Sequence, residues 1–234
     1  MAVSYVSSSA ANGSSGTPTT ATVTAPASIT DGDILVAFAF SIDNTGYCAI
    51  TPPTGFASWG SHEITQTTYR HTEMFWKRCS SESGNYAFTS GNNCDYLLVS
   101  MVALRGCLAT GDPLDVISNT EYVTSNTTLR AATMTTTVPG GQVWGGRTRQ
   151  ATPSITVPGA FTAAGTTTTE AWRVSTAYRV DEADATWGVT GNQDGTVLES
   201  SSKHAMMVSV KAASATFLPR VMTHHFYPPL IGGR

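Results

Sequence analysis

The chain has 234 residues, of which 41% are hydrophobic and only 12% charged, with a formal net charge of −3. That is about half the charged share of an ordinary soluble domain, which excludes charge-driven disorder, and it offers no basic excess that would select nucleic acid or an anionic membrane surface. Threonine and serine make up roughly a quarter of the residues, and with 21 Gly and 11 Pro they leave few strong helix formers, which speaks against a helical protein.

Met1-Ala-Val-Ser-Tyr5 has no basic segment followed by an apolar one, and the longest apolar run, 34–40, is short of the ~20 residues of a membrane-spanning helix, so a leaderless, soluble chain is expected. Apolar and polar positions alternate in short segments bounded by Gly, Pro, Asn or Asp, the period of half-buried strands. The pattern predicts strands near 2–8, 19–25, 33–41, 69–79, 85–89, 96–105, 129–137, 141–147, 171–180, 185–190 and 204–212. The segments 34–40 and 97–104 are the most apolar and belong in the middle of sheets.

The two halves repeat one order of features about one hundred residues apart. Asp31-Gly-Asp-Ile-Leu-Val-Ala-Phe38 is answered by Pro139-Gly-Gly-Gln-Val-Trp-Gly145, and Ile50-Thr-Pro-Pro-Thr-Gly-Phe56 by Ile155-Thr-Val-Pro-Gly-Ala-Phe161. In the second pair, Pro and Gly force a turn and a phenylalanine caps the core. Met74-Phe-Trp-Lys-Arg78 is answered by Thr176-Ala-Tyr-Arg-Val180, and Tyr86 to Asn92 by Thr186 to Asn192. Last, Leu98-Val-Ser-Met-Val-Ala103 matches Met207-Val-Ser-Val-Lys-Ala212. No linker separates the halves, because 106–128 reads as an ordered crossover through Asp112-Pro113 and Asp115-Val-Ile117. The expected fold is an all-β, antiparallel, jelly-roll-like β-sandwich over 1–213, with interleaved halves at about 28–106 and 135–213, each giving strands to both sheets.

This order of features, a Gly-Asp turn into a Leu/Val/Ala strand, Thr51-Pro-Pro-Thr-Gly-Phe56, an aromatic-Lys/Arg strand and a final apolar strand, resembles β-sandwich accessory proteins of tailed bacteriophages and prophages, over about 28–212. The resemblance implies an external virion part, a capsid decoration or tail-associated protein, assembled in the host cytoplasm, and it carries no catalytic residues onto this chain. Gln142-Val-Trp-Gly-Gly146 departs from the pattern, standing where a second long apolar strand would be.

Other chemistry is weighed against simpler readings. Asp31 and Asp33 could ligate a cation, but an Asp-Gly-Asp turn before a strand is ordinary loop chemistry; Asn192-Gln-Asp-Gly195 resembles the start of a calcium loop, yet the preceding acidic ligand is absent and Glu199 comes too early to close it, so it is read as a hairpin turn. His62 and His71 look isolated, and His224-His225 lie in the terminal tail. Glu63, Glu73, Glu170, Asp181, Glu182 and Asp184 could pair as in glycoside hydrolysis, but any β-rich chain offers such pairs. Cys48, Cys79, Cys94 and Cys107 are read as free buried thiols, or as one disulfide, Cys79 with Cys94 across a hairpin, or a bridge to another subunit. No enzyme, metal or cofactor is expected.

The alternative function is a carbohydrate-binding module that would stack Trp59, Trp76, Trp144, Trp172 or Trp187 on a host surface polysaccharide. Residues 214–234 stand apart, apolar and aromatic but interrupted by Pro219, Pro228 and Pro229. They are expected to form an extended arm that docks Phe217, Leu218, Phe226, Tyr227, Leu230 and Ile231 on another virion protein or a second copy of the chain.

Overall fold

The computed structural model describes residues 2–14, 19–65, 69–91, 94–118, 121–123, 127–149, 155–168, 172–180, 189–190, 193–196 and 203–213. Every regular element among them is a strand. The first half carries β1 Ser4–Ser14, β2 Thr20–Thr24, β3 Ile34–Asp43, β4 Ile50–Thr51, β5 Ala57–Thr65, β6 Tyr69–Arg78, β7 Asn85–Ser90 and β8 Tyr96–Arg105. The second carries β9 Leu114–Ile117, β10 Glu121–Val123, β11 Thr128–Ala131, β12 Met134–Thr135, β13 Gly140–Arg149, β14 Thr162–Thr168, β15 Trp172–Val180, β16 Val189–Thr190, β17 Gln193–Thr196 and β18 Lys203–Lys211.

Two antiparallel sheets form the sandwich, one in the order β1-β8-β3-β6-β5 and the other β10-β18-β13-β15-β14, with β9 beside β10 on the edge of β18. Between them lies the main core, with Ile34, Val36, Phe38, Phe40, Leu98, Val102 and Leu104 on one side and Val143, Val174, Met206, Val208 and Val210 on the other. Each large sheet is also covered on its outer face. The small sheet β2-β7-β4 closes over Leu35, Ala37, Phe75 and Val99, and the pairs β11-β17 and β12-β16 accompany the core of Trp144, Ala177, Ala205 and Met207. β3 is therefore buried at every position, which explains its unbroken apolar run.

The halves do not interleave. All strands of the first large sheet come from residues 4–105 and all strands of the second from 114–211, so each half contributes one whole sheet and the two sheets stack face to face. Each apolar strand needs cover on both faces, and a half supplies only one of the covers itself.

The register shows how closely the units correspond. Ile34 pairs with Arg78 and Leu104, as Gly141 pairs with Val180 and Val210. On that equivalence both edge strands β5 and β14 bulge at one place, after Ser58 and after Ala163, with Gly60 and Gly165 in the bulges. A second bulge falls between Tyr5 and Ser7 opposite β8, and at the matching place between Leu114 and Val116 opposite β18. The two Pro-containing turns close with the same bond, Phe56 N to the Pro53 carbonyl at 3.2 Å and Phe161 N to the Pro158 carbonyl at 2.8 Å. Each phenylalanine then lies under a cation from the equivalent position, Lys77 over Phe56 and Arg179 over Phe161, both 5.9 Å from the ring centre. The sequence pairing of Leu98 with Met207 is slipped by three residues, since the register sets Leu98 against His204; the odd slip exchanges faces, so that Leu98 faces the shared core whereas Met207 faces outward.

The units meet around a local twofold relation that places β3 on β13. At its centre a Cβ on Gly145 would lie 2.3 Å from the Phe38 ring. Gly145 is the equivalent of Phe38, so one unit supplies a ring where the other supplies bare backbone. This accounts for the departure of Gln142-Val-Trp-Gly-Gly146 from a second long apolar strand.

Cys48 and Cys94 form the disulfide, with Cα atoms 6.0 Å apart, and Cys79 and Cys107 are free and buried. The expected Cys79–Cys94 pair is ruled out by topology. Cys79 bonds the Asp33 backbone at one end of β3, and Cys94 lies beside the Ile42 end, where Asp95 N donates to the Ile42 carbonyl. A ten-residue strand separates those ends, roughly 30 Å of chain.

Two outcomes follow for stability. Gly145→Ala should destabilise the protein by about 1–3 kcal/mol in urea unfolding, through overpacking against Phe38, and Phe38→Leu should recover part of that loss in the double variant. Replacing Cys48 and Cys94 by serine should cost about 2–4 kcal/mol, read as a lower denaturation midpoint that reductant no longer changes.

Candidate functional site

The described titratable side chains gather at a few places, each built by strand pairing. The two turn carboxylates serve the backbone and one cation. Asp33, 2% exposed, receives Arg105 through both oxygens, Nε at 2.9 Å and Nη2 at 2.7 Å, and also accepts from Thr30 N. Asp31 accepts from Ser81 N. Asp194 likewise takes a two-point contact from Arg130 across the β11-β17 pair, so Gln193–Thr196 is a strand paired at long range, not the hairpin turn read from the sequence.

His71 is not isolated. It lies on β6 on the same face as Glu73, and its Nε2 is 2.7 Å from Glu73 Oε2, while Nδ1 is 3.1 Å from the Tyr47 hydroxyl and 3.7 Å from Glu63 Oε1. Glu63 reaches it because β5 pairs with β6 so that Glu63 stands opposite His71. Burial, the Glu63 contact and the nearby carboxylate charges push the Tyr47 phenol up to about 12. The hydroxyl stays protonated at neutral pH and is a poor nucleophile; the chain Tyr47–His71–Glu73 instead pins the loop that carries Cys48.

His62 is not isolated either. Its ring stacks on that of His204, 4.7 Å between centres and 10° from parallel, bringing β5 of one unit against β18 of the other. Arg147 stands beside them, with its guanidinium 4.6 Å over the Phe40 ring and its Nε 3.4 Å from Thr72 Oγ1. His204 is fully buried, and neither ring nitrogen has a hydrogen-bond partner. Burial and then the Arg147 charge hold both imidazoles below the usual histidine range, His204 far below it. On the opposite face of β18, Lys203 is also buried, and its ammonium is pushed down by burial.

The thiols carry no nucleophilic chemistry. Burial first, and for Cys79 the neighbouring Glu82 and Asp33 charges next, pushes both Cys79 and Cys107 up to about 12, so they remain protonated. Among the described residues no group of three or more His, Cys, Asp or Glu side chains is placed to hold a metal ion. Trp59 and Trp76 stack on one another, with Trp59 Nε1 donating to Asp112 Oδ1, and Trp144 is fully buried. None of these three offers an exposed ring face of the kind a sugar platform needs. The Trp172 side chain, Trp187, Glu170, Asp181, Glu182, Asp184, His224 and His225 lie outside the described residues, as do Phe217, Leu218, Phe226, Tyr227, Leu230 and Ile231.

A pH dependence follows from the histidine pair. The unfolded chain takes up a proton on each histidine near pH 6.5, which the folded chain refuses at His204. Stability is therefore complete above that value and falls as the pH drops below it, by up to about 1.4 kcal/mol per pH unit for this one group. Urea unfolding at pH 7.5, 6 and 5 should show the decline, and His204→Leu should flatten it.

No protein-family model, curated protein or solved structure matches the chain, so a functional reading rests on its own residues and geometry.

Proposed function

We propose that this protein is a structural accessory subunit on the exterior of a tailed-phage particle, a capsid decoration or tail-associated protein attached through protein–protein contacts. The observation that carries the reading is how the fold spends its polar chemistry. Asp33 with Arg105, Asp194 with Arg130, and Glu73 with His71 and Tyr47 each fasten one strand or loop to another. Such fastening suits a rigid building block that acts without catalysis or cofactor. The turn and strand motifs that resemble phage β-sandwich accessory proteins point the same way, with the virion as the location.

Attachment is assigned to residues 214–234. Each large side chain of Phe217, Phe226, Tyr227, Leu230 and Ile231 that becomes fully buried contributes about 1.5–3 kcal/mol, which together offsets part of the ordering cost of a proline-interrupted segment. The receiving surface is another virion protein or a second copy of the chain. Truncation after Ala213 should leave a folded, soluble sandwich that no longer joins the particle or oligomer. Full occupancy by the truncated protein, or its outright unfolding, would sink the docking role.

A further inference from the structure

The layer of the core that contains Phe40 and Arg147 is apolar on one side of the local twofold relation and polar on the other. The strand register makes Phe40, Thr72 and Leu98 the equivalents of Arg147, Val174 and His204. On the apolar side Leu98 and Val174 are fully buried within the shared core, and Thr167 of the edge strand accepts from Asn12 Nδ2. On the other side the same places hold His204, Thr72 and His62. At the places of His204 and Thr72 the architecture is thus satisfied by aliphatic side chains, and His204 answers to something else.

His204 is 0% exposed with both ring nitrogens unpartnered, and native proteins rarely leave buried polar groups in that state without an ion or water to meet them. Cationic and ring groups surround it. The His62 ring is stacked on it, and the charge of the Arg147 guanidinium acts on both. Glu63, whose charge acts on His62, is its chain neighbour on β5 and contacts His71. In either tautomer the one N–H of a neutral His204 has no acceptor, and a protonated ring would have two N–H groups without one. His62, stacked on His204, is only half-buried and is the member of the cluster that solvent reaches.

We propose that His204, His62 and Arg147 form a binding site for a small oxyanion such as sulfate or phosphate, which enters past the His62 ring and supplies the acceptor that His204 lacks. The bound anion would tie β5 of one unit to β13 and β18 of the other. It would also oppose the acid-induced loss of stability, since a protonated imidazole that is costly in a buried place is favoured beside an anion.

The test is thermal unfolding of the full chain near the ordinary histidine pKa of about 6.5, in sodium sulfate or sodium phosphate against sodium chloride at matched ionic strength. The wild type should show a saturable rise in Tm, about 5–10 °C at a hundredfold excess over the dissociation constant. His204→Leu, which installs the side chain found at the equivalent place, should lose that rise. An equal rise in both proteins would mean general exclusion of the salt from the surface and would overturn the site. Should the variant fail to fold, the imidazole nitrogen resonances of His204 in the labelled wild type decide the matter. A saturable shift on titration with phosphate supports the site, and an unmoved resonance rejects it.

Discussion

The contact on which the remaining structure depends is that of β3 on β13. Phe38 can lie against bare backbone because its counterpart is Gly145, and a Cβ there would have to occupy space the ring already fills. This close approach brings the two large sheets into contact along their middle strands, and β6, β8, β15 and β18 then bury their inward residues against one another. The outer faces of the same strands remain apolar, as Leu35, Ala37 and Val99 on one sheet and Trp144 and Met207 on the other. Small sheets and turns must cover them, and the phenylalanines of the two Pro-containing turns do so in equivalent ways, each beneath a cation from the neighbouring strand. The succession of layers follows from strands too apolar to leave either face in water.

Much of this was legible in the sequence. The repeat order of turns and strands was visible because turn chemistry is local: Pro, Gly and Phe at fixed spacing specify the bend and the cap wherever the chain goes next. The central strands were visible for the same reason, as unbroken apolar runs. The way the halves combine was not, since alternation along a strand fixes which residues share a face but not which sheet that face meets. Edge strands β5 and β14 escaped notice because a glycine interrupts each pattern at its bulge, and their exposed polar positions look like loop. The slip of three residues in aligning the last strands has a similar origin, for the strand is buried on both faces and only the layered fold tells inward Met206 from outward Met207.

The polar groups were the least legible. Cys48 meets Cys94, and His62 meets His204, because β3 and the stacking of the units bring them together, not because of any spacing in the chain. His71 with Glu73 is the exception, an alternation on one strand that a reading of side-chain parity could have found, with Tyr47 added only by the loop. The pattern of use is consistent nonetheless. Carboxylates and cations tie neighbouring elements, whereas the paired histidines sit where the two units touch.

The matched pair of Phe38 and Gly145 also bears on how such a molecule could arise. Two identical chains related by a twofold axis must present the same residue on both sides of that axis, so the position would be ring against ring or glycine against glycine, a clash in one case and a void in the other. When both copies reside in a single polypeptide the two sides can change independently, one gaining bulk as the other sheds it. By the same reasoning Arg147 can face Phe40, and a histidine can replace a leucine on one side alone. An interface between two units of one chain is free of the constraint of self-complementarity, and the histidine pair occupies the asymmetry that this freedom permits.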